Sequence, residues 1–394
     1  MKAKINKSSA GKRGKSIRSD CYVEIIETKS GGISLELKSK VASMYSDSIK
    51  SQIFSMCDFF DLKNANIYLE DNGALPFVIA ARFELAVKRL NPMQQKEFLI
   101  PVNKKTVYKT SKDRFRRSRL YLPGNEPKFF LNAGLHKPDA IILDLEDSVS
   151  YQEKDAAQLL VRNALRSVDF YGSEKMVRIN QLPMGLDDLK FIIPHNVHII
   201  LIPKCESPEQ VNSVEEEVER IKKKWKITND IFYMPIIESA LGIIKAFEIV
   251  KASKNICALT IGLEDYSADI GTNRTIEGKE SLFARNMIVN AAKAAGVQAI
   301  DSVFSDVSDM ENLRKNTYEA KAIGFEGKGC IHPRQIKVIH ECFAPTDEEI
   351  KNAELIVAAF EEAERNGIGV VSIGSKMIDA PIVKRAKQIL NYNR

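Results

Sequence analysis

The sequence predicts an α/β protein whose larger part is a closed (β/α)8 TIM barrel, preceded by a small α+β domain and followed by a C-terminal helical lid. Two observations carry the barrel. From residue 117 onward, eight short apolar, β-branched runs recur between helical stretches within about 220 residues. These runs are continuous rather than alternating, the pattern of a parallel sheet covered on both faces. A doubly wound open sheet is the competing architecture, but no G-x-G-x-x-G follows the first run to support it.

Taken in order, the chain opens on charge. Lys2, Lys4, Lys7, Lys12, Arg13, Lys15 and Arg18 all precede the first acid, Asp20. Residues 1–18 read as a solvated, flexible basic arm. With no aromatic residue to stack a base, this arm gives no nucleic-acid signature.

Residues 19–92 read as a small α+β domain. Cys21 to Ile26 alternates polar and apolar residues as a strand does, and Ile33 to Leu37 does the same across a Gly-Gly turn, suggesting a hairpin. Val41 to Phe60 carries apolar residues at helical spacing. Ala65 to Leu69 reads as another strand, Asp71-Asn72-Gly73 as a turn and Pro76 to Leu90 as a closing helix. Residues 93–116 form a linker, broken by Pro101. Its charges (Lys104, Lys105, Lys109, Lys112, Arg114) argue against a buried role.

The barrel is expected over 117–345 and the helical extension over 346–394. Its strands are Leu120–Leu122, Ala140–Leu143, Met176–Ile179, His198–Ile202, Ile231–Ile237, Ile256–Ile261, Ala299–Phe304 and Gly329–Ile331.

Composition sets the outer limits. Of 394 residues, 44% are hydrophobic and 28% charged, which suits an ordinary globular protein of two or three domains. No apolar run reaches the ~18 residues of a membrane span. The six cysteines are scattered without a C-x-x-C pair, so reduced thiols in a cytoplasmic setting are expected.

The strand ends carry the functional signal, because the C-terminal face of a barrel holds its chemistry. They read Pro123-Gly124, Asp144-Leu145-Glu146-Asp147, Arg178-Ile179-Asn180 and Pro203-Lys204, then Glu238-Ser239, Gly262-Leu263-Glu264-Asp265, Asp301 and His332-Pro333. So many charged groups on one rim are hard to attribute to solvated loops. Arg178 suits a substrate carboxylate or a developing oxyanion, since a guanidinium donates two parallel hydrogen bonds. A salt bridge to Glu146 or Asp147 is compatible with that role. His332, at a strand end before Pro333, could be an acid or base or could pack beneath the site. Pro123-Gly124 would allow close approach of a cofactor arm.

These residues also resemble a family. Arg117-Ser118-x-Leu120-x-x-Pro123-Gly124, D-L-E-D-S-V, V-R-I-N, P-K, I-I-E-S-A-L-G, I-G-L-E-D-Y, G-F-E-G-K-x-x-I-H-P-x-Q-I and G-x-K-M-I-D-x-P occur in order over 117–393. This is similar to the HpcH/HpaI aldolase/citrate lyase beta subunit family, including its malyl-CoA and citramalyl-CoA lyase relatives. The resemblance implies a Mg2+-dependent lyase that splits a 3-hydroxyacyl CoA thioester into an acetyl thioester and a 2-oxo acid. It assigns Glu238 and Asp265 as direct metal ligands and Arg178 as the catalytic arginine. Mg2+ keeps several waters, so two protein carboxylates suffice. Glu146 and Asp147 would hold metal-bound waters, with Asp144 supporting the strand end. Arg117 would lie on the thioester and phosphate side.

The general acid/base implied by the resemblance is Asp379, on a lid reaching a neighbouring subunit, which implies a homotrimer or a multiple of one. An N-cap for the last helix is its alternative role.

The front domain, over 14–92, is similar to the citrate lyase gamma subunit, an acyl carrier protein. The residues that carry this are Gly14, Ser19-Asp20, Val23, Asp71-Asn72-Gly73-Ala74-Leu75 and Ala81-Arg82. Such carriers attach a phosphopantetheine-type arm to a serine two residues before the aspartate. Arg18 stands there, and Ser19 is the neighbouring hydroxyl. Two readings stay open. The chain acts alone on free CoA thioesters, or it is a fused carrier and lyase in a larger complex with a citrate lyase alpha subunit. A purely structural role is the third, disfavoured by the intact rim residues.

Overall fold

A computed structural model describes residues 6–365, 371–373 and 376–391. The N-terminal domain contains β1 (Lys7–Gly11), β2 (Cys21–Glu27), β3 (Ile33–Ser39), α1 (Ala42–Phe59), β4 (Ala65–Asp71) and α2 (Pro76–Leu90), with sheet order β1-β2-β4-β3. Two features differ from the sequence expectation. Part of the expected arm is β1, an edge strand antiparallel to β2 with Lys7 opposite Ile26. Ala10 is buried there, so five residues of the basic stretch have joined the core sheet. Nor do β2 and β3 form a hairpin. The α1 crossover returns β4 between them, parallel to β3 and antiparallel to β2.

α1 buries Ile49, Ile53, Met56 and Cys57 on one stripe, as its helical spacing requires. α2 starts with Pro76 in its first turn, where a missing amide is harmless, and is buried almost all round. That total burial has a cause: α2 is sandwiched between its own sheet and the barrel.

The barrel follows: β5 (Ser118–Pro123), β6 (Ala140–Asp144), α3 (Lys154–Ser167), β7 (Glu174–Arg178), α4 (Met184–Ile192), β8 (Ile199–Ile202), α5 (Pro208–Trp225) and β9 (Phe232–Ile237). It continues with α6 (Ala240–Ile244), α7 (Ala246–Lys251), β10 (Ala258–Ile261), α8 (Leu263–Asp269), α9 (Leu282–Ala295), β11 (Gln298–Asp301), α10 (Met310–Ile323), β12 (Gly327–Cys330) and α11 (Pro333–Phe343). All eight strands are parallel, and β12 pairs with β5 to close the ring. Inward side chains such as Ile142, Met176, Leu201, Met234 and Ile300 fill its interior, a packed core rather than a pore.

The helices around it obey local rules. α5 opens on a Ser207–Gln210 capping box, ends on three lysines, and buries Val211, Val214, Val218 and Ile221 at helical spacing. His332 caps α11 by accepting from the Arg334 amide at 3.1 Å, in keeping with the structural one of its two expected roles.

The expected linker, 93–116, is bound to the barrel base. The lysines do stay exposed, but Arg116 is fully buried with its Nε and Nη2 donating to Glu174, at 2.7 and 2.9 Å. The Thr106 carbonyl accepts from Lys175 Nζ. The charges that argued for a free linker merely line its outer side.

Two buried ion pairs seat the N-terminal domain. Arg162 on α3 holds Glu84 on α2 at 2.7 and 3.0 Å, while Arg82 holds Asp20 at 2.7 and 3.0 Å and reaches the Asn125 carbonyl. Beyond the barrel lie α12 (Asp347–Arg365), β13 (Val371–Ile373), β14 (Lys376–Ile378) and α13 (Ala380–Asn391), with β13 and β14 antiparallel. Among the described residues no helix is long and apolar enough to cross a membrane, and all six cysteines are free and buried.

Candidate active site

The strand ends converge on a cavity of about 310 Å³ at the C-terminal face. β6, β7, β9 and the turn after β10 deliver Asp144, Arg178, Glu238 and Asp265 to its wall. Arg178 is the organising cation. Its guanidinium grips Asp144 with two bonds of 2.7 Å, reaches Glu146 at 2.7 Å and Asp147 at 3.5 Å, and lies 5.4 Å from the Tyr121 ring. Burial alone would raise the Asp144 carboxyl, but the Arg178 bonds and charge hold it below the usual range. Asp144 therefore supports Arg178 as well as the strand end.

Glu238 is nearly inaccessible, with Oε1 accepting the Lys204 amide at 2.7 Å. Burial pushes its carboxyl up to about 8; the Lys204 amide opposes this, and the charges of Asp265 and Glu146 add to it. The Lys204 ammonium is 3.4 Å from Glu146 and 3.7 Å from both Asp147 and Asp265. Lys204 adopts a positive φ of 46°, a conformation strained for a non-glycine residue. Gly262 makes room for the carboxylate, because a Cβ there would fall 2.4 Å from Glu238 Oε2.

The charge does not balance. Among the described residues, Asp144, Glu146, Asp147, Glu238 and Asp265 find ion-pair partners within 4.0 Å only in Arg178 and Lys204. Among the described residues no three carboxylate, histidine or cysteine groups cluster as a complete metal cage. Glu238 and Asp265, backed by excess negative charge, fit instead a hard divalent cation that keeps waters in its shell.

Four expected residues, Arg117, Pro123, Gly124 and Asp379, do not line this cavity. Arg117 is at the N-terminal end of β5, the base of the barrel, with its amide and guanidinium on Asp139 at 2.8 Å. It is not brought to the mouth, because its place before the strand fixes it at the opposite end. Gly124 does permit a close approach, but the group that approaches is the Asp144 carbonyl, 2.5 Å from where a Cβ would sit. Pro123 and Gly124 thus close β5 onto β6. Asp379 caps α13, accepting from the Ile382 amide at 3.2 Å. Further along α13, Arg385 and Ile389 border a hollow with Phe115 and Phe325 at the barrel base, so this helix does not cover its own mouth.

The expected attachment loop is ordered. Ser19 has φ 56° and donates its amide to the Asn72 carbonyl, while Asp20 is consumed by Arg82. Conversely, Arg119, Tyr121 and Thr260 line the cavity although none stands at a strand end that the sequence marks. The available signal was parity: Arg119 and Tyr121 share the inward face of β5.

The profile of the HpcH/HpaI aldolase/citrate lyase family matches residues 117–333, which span this barrel and its rim. The chain belongs to that family. Citrate lyase subunit beta of Leuconostoc mesenteroides subsp. cremoris is 40% identical over 281 residues, 71% of this chain and 93% of that protein. Human mitochondrial citramalyl-CoA lyase is 36% identical over 284 residues, 69% of this chain and 84% of its own length. Among solved structures, protein CitE of Mycobacterium tuberculosis in complex with magnesium, acetoacetate and coenzyme A superposes with a TM-score of 0.59 at 28% identity. It covers 71% of this chain and 98% of that one. A second profile, an acyl carrier family described as the malonate decarboxylase delta subunit, matches residues 10–90. This citrate lyase family member therefore carries an acyl-carrier-like domain fused in front of its barrel, and the matched region reaches back to β1.

Proposed function

We propose that the chain is a Mg2+-dependent carbon–carbon lyase. It cleaves a 3-hydroxyacyl CoA thioester of the citryl, citramalyl or malyl type. The products are an acetyl thioester and oxaloacetate, pyruvate or glyoxylate respectively. The observation that carries this reading is the convergence of Glu238, Asp265 and Arg178 on one cavity of a citrate lyase family barrel.

In the reaction the substrate hydroxyl loses its proton and becomes the ketone of the oxo acid. The adjacent C–C bond breaks, and its electron pair passes to the α-carbon of the acetyl thioester as an enolate, which then takes up a proton. Glu238 and Asp265 are the residues that would hold Mg2+, and such an ion supplies polarisation of the hydroxyl and carboxylate oxygens of the substrate. Glu146 and Asp147 would orient its waters. Arg178, fixed by Asp144, presents a preorganised cation to the oxygens where charge develops. The proton donor and acceptor is Asp379 of an adjacent subunit, in a homotrimer or a multiple of one.

The carrier-like match to residues 10–90 favours a second arrangement, in which the chain joins a citrate lyase alpha subunit and carries its own acyl arm. Arg18 argues against loading, since a side chain without a hydroxyl cannot accept the phosphodiester. One preparation tests both arrangements. Acetyl-CoA release from citryl-, citramalyl- and malyl-CoA should need Mg2+ and vanish in Glu238→Ala and Asp265→Ala. The intact mass should equal that of the bare chain. Full turnover in excess EDTA would refute the metal requirement, no cleavage of any of the three thioesters would refute the lyase reading, and an added phosphopantetheine-type mass on Ser19 would favour the carrier arrangement.

A further inference from the structure

Below the wall just described, the cavity floor holds a charge that the lyase reading does not use. Arg119 lies on β5, two residues before Tyr121, and so points into the barrel. It is 1% exposed yet lines the cavity. Met234 and Ile236, part of the apolar plug of the barrel, touch it or line the same cavity. One guanidinium arm donates to the Thr260 hydroxyl at 2.8 Å, and another rests 2.9 Å from the Met234 sulfur. Its Nε has no partner, and among the described residues no carboxylate lies within 4.0 Å of it. Every other fully buried arginine here differs: Arg82, Arg116, Arg162 and Arg285 each hold a carboxylate.

A buried guanidinium without a counter-charge is expensive. A hydroxyl and a thioether do not offset that cost. The missing partner is an anion that arrives through the cavity. The wall already supplies Arg178 and a cation site for the hydroxyl and carboxylate at the reacting carbon. An anion reaching Arg119 is therefore a further group on the acyl chain.

We infer that Arg119 is a specificity-determining residue that binds a second carboxylate on the substrate's reacting carbon substituent. It selects thioesters whose released 2-oxo acid is dicarboxylic over those ending in methyl or hydrogen. This rests on the lyase reading for the orientation of the substrate, but its test does not depend on turnover alone.

Arg119→Met and Arg119→Gln would be compared with the parent on citryl-CoA and citramalyl-CoA. Oxaloacetate and pyruvate binding would be measured in parallel by calorimetry with Mg2+ present. Loss of a charged hydrogen-bonded pair predicts a drop of about 100-fold in kcat/KM on citryl-CoA, mostly through KM, with citramalyl-CoA changed less than about threefold. Oxaloacetate affinity should fall alongside, with pyruvate affinity retained. Thermal melting of Arg119→Met should equal or exceed that of the parent. The inference is overturned by equal losses on both thioesters, by no loss on either, or by a melting temperature that drops in both variants. Were the parent to cleave neither thioester, the lyase reading would fail by itself. The oxo-acid binding would still decide Arg119: parent preference for oxaloacetate that both variants lose supports it, and equal binding rejects it.

Discussion

Gly262 sets how Glu238 sits. Its φ of −106° is open to any residue, so the backbone does not demand glycine. The demand is spatial, since a Cβ would meet Glu238 Oε2 at 2.4 Å and Glu238 Cβ at 2.9 Å. Glu238 cannot swing aside without releasing the Lys204 amide. Gly262→Ala should therefore displace the carboxylate, raising the Mg2+ concentration for half-maximal activity by about tenfold or more. Overpacking of this kind costs about 1–3 kcal/mol of stability, so the variant should still fold. A Mg2+ titration of activity, with denaturant unfolding alongside, checks both; an unchanged titration would mean that Glu238 is not a ligand. At this scale the sequence was legible wherever a residue ended a strand, as with Glu238 and Arg178. It misled where a motif residue preceded one: Arg117 comes just before β5 and so lies at the base, beside Asp139. Arg119 went unseen because an arginine within an apolar run gives no hint of whether a carboxylate awaits it.

At the scale of elements, continuous apolar runs marked all eight barrel strands, with errors confined to their ends. β11 stops at Asp301 rather than running on to Phe304, because Asp301 turns outward to Lys328 and Arg285. Docking between elements was not legible. Glu84 and Arg162 are 78 residues apart, and nothing local joins them. In the fold their pair sits fully buried between α2 and α3, and the Phe98 amide donates to the same carboxylate. Cutting away residues 1–92 would leave Arg162 uncompensated and bare the apolar face that α2 covers. The barrel is therefore not expected to work well without its front domain. Glu84→Ala should destabilise by about 3–5 kcal/mol, while Glu84→Leu combined with Arg162→Leu should recover most of the loss. Denaturant unfolding of the three proteins measures this. Equal stability of Glu84→Ala and the parent would show that α2 rests on the barrel without support from the pair.

For the whole molecule, the proposed acid/base residue, Asp379, lies away from the site of its own chain. Asp379 follows β14 and caps α13, and α13 runs beside the barrel base. The mouth holding Glu238 and Arg178 opens at the other end of the strands. A carboxylate so placed cannot serve its own barrel in this arrangement, so the proposed role requires a neighbouring subunit's extension at the mouth. Closure there would exclude water from the enolate. The consequence is complementation. Asp379→Ala and Arg178→Ala chains, each nearly inactive alone, should regain activity when mixed under conditions that exchange subunits. In a randomly mixed cyclic trimer, about a quarter of mouths would pair an intact Arg178 with an intact Asp379 from the neighbour. Recovered activity should approach that fraction of the parent value, with sedimentation confirming the trimer. No recovery after demonstrated exchange would confine Asp379 to its observed task, holding the first turn of α13.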